Sequence, residues 1–339
     1  MFITCIIYKT TNKMKILIIL LIIFSILIVL KIVVFRVIPF IEQYALTSEL
    51  DLAQRYMPDS WVLITGPSSG MGERFAHEFA DRGFNLLLVG SKRTKYVIRD
   101  IKKNHKNIEI KFIEVDFSSS FKDDFFNGIQ QAVDELGTKW TILINNVGYR
   151  TACKDYREMS IEEMKKTISV GTLVQSKLIQ MALQKFADRK THTAIVSITA
   201  QNSLCTDLFA ISNDLTVPYL ACYEASNAWG YFHAKSVHEE IKNKYPLIDF
   251  LIIMPGAVKT KNTEPVLRDT IFAVDVDTYI KNVIRLMGNY QGPMCAHPYH
   301  SLSGALINVF PFVDKESIVK QVGSDFAESF EKKSLSKLS

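Results

Sequence analysis

Residues 61–76 read "WVLITGPSSGMGERFA". Five apolar or β-branched residues run straight into a turn holding Gly66, Gly70 and Gly72, and an amphipathic segment follows at once. As strand, turn and helix, the stretch puts glycines where a backbone turns sharply and comes close to a phosphate. The helix N-terminus there offers unpaired N–H groups and the positive end of its dipole. Ser68 and Ser69 add hydroxyl donors and Met71 falls in the first helical turn, so Gly66, Ser68, Ser69, Gly70, Met71 and Gly72 make a candidate pyrophosphate cradle. An ordinary connecting turn also uses glycines. The order of strand, glycines and helix favours the dinucleotide reading.

The same rhythm continues outward. "NLLLVG" (85–90), "IEIKFIEVD" (108–116), "TILINNVG" (141–148), "TAIVSIT" (193–199) and "IDFLIIMPG" (248–256) read as strands, with helical stretches such as "FFNGIQQAVDELG" (125–137) between them. Strands apolar on both faces, alternating with helices, predict an α/β fold: a Rossmann-like doubly wound parallel sheet in a single domain. No internal repeat or Gly/Pro-rich linker divides it. The second strand ends in "VGSKRTK" (89–95), with Lys92 and Arg93 where an acid would hold the ribose hydroxyl of NAD. Basic side chains there favour the 2′-phosphate of NADP(H); a solvated loop pair is the plainer alternative.

The N-terminus has a different character. "ILIILLIIFSILIVL" (16–30) carries no charge and "IVVF" extends it past Lys31. About 20 apolar residues cross a bilayer core, and no polar face appears at helical spacing. No small-residue cleavage site follows, which disfavours a signal peptide. The expected layout is a leader at 1–13, a transmembrane helix at 14–38, the nucleotide-binding domain at 56–315 and a tail at 316–339. Lys9, Lys13 and Lys15 before the segment balance Lys31 and Arg36 after it, so orientation stays open.

Composition narrows the classes. With 40 Lys and Arg against 35 Asp and Glu, the net charge of +5 is too small to argue for nucleic acid, and no basic run interleaves with aromatics. Five scattered cysteines, none in a CxxC pair, suit a reducing compartment and offer no metal site.

With these features stand "VDF" (115–117), "NNVG" (145–148) and "YLACYEASNAWG" (219–230), which puts Tyr223 on a helix. On "TGPSSGMG", "NNVG" and that tyrosine, the chain resembles the short-chain dehydrogenase/reductases. The valine of "NNVG", "LTVPYLACY" and "CAHPYHSLSGALINVFPF" resemble the membrane-bound branch of 17-beta-hydroxysteroid dehydrogenases and very-long-chain 3-oxoacyl-CoA reductases. The resemblance implies that Asp116 sits by the adenine, that Asn145 and Val147 line the cofactor cleft, and that Val258 and Thr260 lie near the nicotinamide. It implies Tyr223 as the acid that protonates a substrate carbonyl. A homodimer and an endoplasmic reticulum membrane location, with the catalytic domain in the cytosol, come from the same resemblance.

Three departures stand against a conventional mechanism. The family's catalytic lysine position holds Asn227, which could reach the nicotinamide ribose but brings no charge. A cation about 4 Å from a phenolate is worth on the order of 4 kcal/mol at an effective dielectric of about 20, roughly three pKa units. The carbonyl-binding serine position holds Ala200, leaving Thr199 or Ser203 to offer a hydroxyl, with about ten extra residues before Tyr223 by comparison with the family spacing. The proton-relay asparagine aligns with Ile168, or with Ser169 across a gap. Two functions follow: an NADPH-dependent reductase of a lipid ketone, with a 3-oxoacyl-CoA of fatty-acid elongation preferred over a keto-steroid, or an impaired NADP(H)-binding scaffold or sensor. In a third reading Pro67 reshapes the phosphate turn and cofactor binding is lost.

Overall fold

The computed structural model describes residues 2–149, 155–201, 218–260, 263 and 273–302. The chain divides into two units, Met1–Thr47 and Ser48–Ser339. The first holds helix α1 (Phe2–Ile32), a π turn (Val33–Val37), the short helix α2 (Ile38–Ile41) and a second π turn (Glu42–Leu46). The apolar side chains from Leu17 to Leu30 stand exposed all round the helix, so this stretch of α1 has no polar face. Among the described residues no helix is long and apolar enough to cross a membrane.

The second unit opens at Ser48, ahead of the boundary at 56 expected from the sequence. The reason is helix α3 (Leu52–Tyr56), capped by the Asp51 carboxylate, whose Leu52 and Tyr56 are core residues. The elements then alternate: β1 (Trp61–Thr65), α4 (Gly70–Asp81), β2 (Asn85–Gly90), α5 (Thr94–Asn104), β3 (Ile110–Glu114), α6 (Asn127–Leu136) and β4 (Trp140–Asn145). Helix α7 (Ile161–Ser169) passes through a π turn (Val170–Val174) into α8 (Gln175–Phe186), followed by β5 (Thr193–Ile198), α9 (Ala221–Ile241) and β6 (Ile248–Ile253). The two-residue strands β7 (Val258–Lys259) and β8 (Val274–Asp275), helix α10 (Val276–Leu286) and edge strand β9 (Gly292–Met294) complete the described order.

The main sheet runs β3-β2-β1-β4-β5-β6-β9, with every pairing parallel. Strand β1 shows why the apolar runs are continuous. Val62 and Ile64 pack into one core with Phe75 and Phe79 of α4, Ile101 of α5 and Ile280 of α10. Trp61 and Leu63 point the other way, into a second core with Val133 of α6, Leu178 of α8 and Tyr231 of α9. Each strand therefore needs apolar side chains on both faces, and burying each Val, Leu or Ile contributes about 1.5–3 kcal/mol. The doubly wound sheet matches the expectation. The strands are laid down in opposite directions on the two sides of β1, β2 and β3 on one side and β4 onward on the other, and the crevice beyond the carboxyl ends at such a switch is where α/β sheets bind ligands.

Candidate active site

Thr65, the last residue of β1, organises the switch point. Its hydroxyl accepts from the N–H groups of Asn146 and Val147, both at 3.0 Å, and lies 3.4 Å from the Ile144 carbonyl. The Asn146 amide donates back to the Thr65 carbonyl at 2.9 Å. Together these bonds lock the ends of β1 and β4 side by side beneath the glycine turn. Gly66 (φ +67°) and Gly70 (φ +61°) occupy left-handed conformations that favour glycine. Pro67 is buried, its ring lying 3.0 Å from where a Cβ on Gly90 would be. Gly72 lets α4 rest on the turn: a Cβ there would come within 2.2 Å of the Gly66 carbonyl oxygen and 2.6 Å of the Asn146 amide nitrogen.

Ser69 stands at the N-cap of α4 in extended backbone, yet its hydroxyl makes no capping bond. Lys92 and Arg93 are exposed just beyond β2. Asp116 is exposed after β3 and accepts from the Ser118 N–H at 3.0 Å. Thr260 closes the far side, with its methyl 3.3 Å from a Cβ built on Gly70, while Val258 is buried in β7. Met71 is partly buried and packs against the core. Val147 is buried and Gly148 is open to solvent.

Asn145 plays a different part from the one the family pattern implies. Its side chain is fully buried and donates to the Gln175 carbonyl at 3.0 Å, joining β4 to the start of α8. It braces the sheet against the helix instead of lining the cleft.

On α9, Tyr223 is half-buried, and its hydroxyl has no hydrogen-bond partner among the described residues. The Asn227 amide donates to the Tyr223 carbonyl at 2.9 Å, and the Ser226 hydroxyl donates to the same oxygen at 2.8 Å. Asn227 is thus turned onto its own helix. The basic side chains further along α9 are engaged elsewhere: Lys235 lies over the Tyr231 ring at 5.7 Å, and His233, whose burial disfavours its charged form, stacks near Trp229 at 6.4 Å.

The hydroxyl of Thr199 is 3.3 Å from the Ile253 carbonyl, which takes the single proton it can donate. That commits Thr199 to the sheet and leaves no donor for a substrate carbonyl. Ser203 lies outside the described residues.

Neither residue proposed for the relay position faces α9. Ile168 is exposed, and Ser169 is buried against the Ser120 hydroxyl. The residue opposite α9 is Gly171, inside the π turn, where a Cβ would meet Ser226 Oγ at 2.5 Å. A lone glycine in an otherwise helical pattern was the available sign.

The cradle sets one strong expectation. Gly72→Ala drives a methyl into the Gly66 carbonyl, so α4 must withdraw from the turn. NADPH affinity should fall by roughly a hundredfold, the scale of overpacking a closed contact. Titration of NADPH fluorescence checks it, and unchanged affinity would show that the turn holds no cofactor.

A parallel sheet in this order, with a glycine turn at its switch point and a tyrosine-bearing helix beside it, defines a nucleotide-binding α/β protein. The family model described as short chain dehydrogenase matches residues 60–270. The chain belongs to the short-chain dehydrogenase family. It is 28% identical over 259 residues to the very-long-chain 3-oxoacyl-CoA reductase of Mus musculus, covering 74% of this chain and 75% of that one. It is 29% identical over 223 residues to the inactive hydroxysteroid dehydrogenase-like protein 1 of Homo sapiens, covering 65% and 62%. A short-chain dehydrogenase from Sphingobium yanoikuyae, solved in complex with NADPH, shares the fold with TM-score 0.58 at 20% identity, covering 75% of this chain and 98% of that one.

Proposed function

We propose that this chain is a membrane-anchored, NADPH-dependent reductase of a lipid ketone, with a very-long-chain 3-oxoacyl-CoA as the first substrate to test and a keto-steroid as the second. The observation that carries the reading is the uncommitted Tyr223 hydroxyl on α9 in a chain whose glycine turn is assembled. The residues at the switch point fit the cofactor. Ser68, Ser69, Lys92 and Arg93 have side chains with no partner among the described residues, and the turn around Gly66, Gly70 and Gly72 admits no Cβ without crowding or strain.

NADPH, when bound, supplies a hydride for the carbonyl carbon. Every other task falls to the chain. The glycine turn and its serines would hold the pyrophosphate, Lys92 and Arg93 would take the 2′-phosphate, Asp116 would serve the adenine side, and Val258 and Thr260 the nicotinamide side. Tyr223 gives its proton to the carbonyl oxygen as negative charge develops there. Reduction starts from the protonated phenol, so it tolerates the missing lysine better than oxidation would. Ser203 is the remaining hydroxyl for the carbonyl.

Two further parts support the same picture. The uncharged run Ile16–Leu30 and the exposed apolar side chains of Leu17–Leu30 fit a single-pass anchor, and the similarity to a very-long-chain 3-oxoacyl-CoA reductase fits the proposed endoplasmic reticulum membrane with a cytosolic domain. Release of the chain from membranes by alkaline carbonate would remove the anchor from this reading. A scaffold that binds NADPH without turnover is the second reading, favoured by Asn227 turned onto its own helix.

NADPH oxidation with a long-chain 3-oxoacyl-CoA separates the two. Turnover that drops at least a hundredfold in Tyr223→Phe establishes the enzyme, the proton donor being worth roughly 10²–10⁴. NADPH binding with no oxidation above background at high protein concentration leaves the scaffold.

A further inference from the structure

We infer that His300, together with Gln201, is a positioning residue that fixes the loop 255–260 against the glycine turn; the inference rests on reading that loop as the nicotinamide side of the cofactor site. His300 follows β9 in the segment "HPYH" (297–300) and is 1% exposed. Its two ring nitrogens meet the backbone of two consecutive residues of the loop, Gly256 and Ala257. Nδ1 accepts from the Gly256 N–H at 3.2 Å, and Nε2 lies 3.2 Å from the Ala257 carbonyl oxygen. A backbone N–H only donates, so Nδ1 carries the lone pair and the proton sits on Nε2. One neutral imidazole thus serves as acceptor and donor across a single turn of chain.

Gln201 closes the arrangement from the strand side. Its backbone N–H donates to the Pro255 carbonyl at 2.9 Å, and its side-chain amide donates to the His300 carbonyl at 2.6 Å. The three segments leave no room for a side chain at Gly256, where a Cβ would lie 2.3 Å from Gln201 Oε1 and 3.0 Å from His300 Cδ2. Tyr279 of α10 supports the imidazole, with ring centroids 5.2 Å apart.

What the clamp sets is the next few residues. Ala257 also accepts from Val274 at 2.9 Å, which seats β7 on β8. Thr263 then ties Val258 to Thr260, its hydroxyl donating to the Val258 carbonyl at 2.6 Å while the Thr260 N–H donates to it at 2.9 Å. Thr260 in turn packs beside Gly70 at the start of α4. A shift at Gly256 therefore passes along the loop to the cradle.

The test compares His300→Ala, His300→Asn and His300→Gln in the full chain in detergent micelles, with two readouts and the thermal midpoint as the folding control. Asn retains an acceptor near the Nδ1 position and Gln a donor near Nε2, so each keeps one of the two bonds. Amide exchange at residues 256–260 without cofactor should rise most in the Ala variant. NADPH affinity should fall roughly tenfold in Ala and roughly threefold in Asn and Gln, as two or one hydrogen bonds are lost. Unchanged exchange in all three overturns the clamp and leaves the cofactor reading standing. Raised exchange with unchanged NADPH affinity shows that His300 only stabilises the fold, and also overturns it. A wild-type chain that binds no NADPH overturns the cofactor reading, and this inference with it.

Discussion

Asp249→Ala is expected to cost about 3–5 kcal/mol of stability, the scale of removing one partner from a buried charged pair. For a domain of this size that lowers the thermal midpoint by roughly 10 °C. Asp249 is the one acid in the apolar strand β6 and is 1% exposed. Its carboxylate receives Arg55 through Nε at 2.7 Å and Nη2 at 3.0 Å, and the Tyr56 hydroxyl at 2.8 Å. The hydrogen bond to Asp249 raises the Arg55 guanidinium above its ordinary pKa. Burial, and then the Asp249 carboxylate, push the Tyr56 phenol well up, so it stays neutral and donates.

Removing the carboxylate strands both donors, but unequally. Arg55 is partly exposed and can turn to water, whereas Tyr56 is fully buried and cannot. Asp249→Asn keeps one acceptor oxygen and should cost less, roughly 1–3 kcal/mol. Neither change touches the glycine turn, so NADPH affinity of the folded fraction should hold. Thermal unfolding in detergent checks this, and an Asp249→Ala midpoint within a degree of wild type would mean that the network contributes no net stability.

That network marks a limit of the sequence. "IDFLII" shows an acid inside an apolar strand, but nothing local says that its partners are Arg55 and Tyr56, nearly two hundred positions earlier. Strand identities and the glycine turn were legible because both are local: unbroken apolar runs follow from burial on two faces, and Gly66 and Gly70 from left-handed backbone. The relay position was misplaced for a specific reason. Alignment of "TISVGTLVQSKL" with the family pattern gives Ile168, or Ser169 across a gap, but the π turn at Val170–Val174 shifts the register and brings Gly171 to face α9. Thr199 was visible as a hydroxyl, while the Ile253 carbonyl that takes its proton belongs to the neighbouring strand. Strand β9 is three residues long and contains Pro293, which is tolerated at a sheet edge and gives no periodic signal.

Asn227→Lys should raise turnover by roughly a hundredfold or more if the remaining site is assembled. The argument is electrostatic. An ammonium about 4 Å from a phenolate oxygen is worth on the order of 4 kcal/mol at an effective dielectric of about 20, and would favour the charge that forms as Tyr223 gives up its proton. Wild-type Asn227 supplies none of this, because an amide carries no charge, and its NH2 group is turned to the Tyr223 carbonyl at 2.9 Å. A lysine carries its charge on a longer stem, which can extend past that carbonyl. The gain should appear in kcat with little change in NADPH affinity. A gain confined to KM would assign the effect to binding instead of proton transfer. No gain, with NADPH still bound, would move the fault to Gly171, where a relay asparagine cannot be restored alone. Its Cβ would stand 2.6 Å from Ser226 Cβ, so Gly171→Asn requires Ser226→Gly beside it. If the triple variant also stays silent while binding NADPH, Tyr223 is a helix residue in a binding protein and the scaffold reading takes the place of the enzyme.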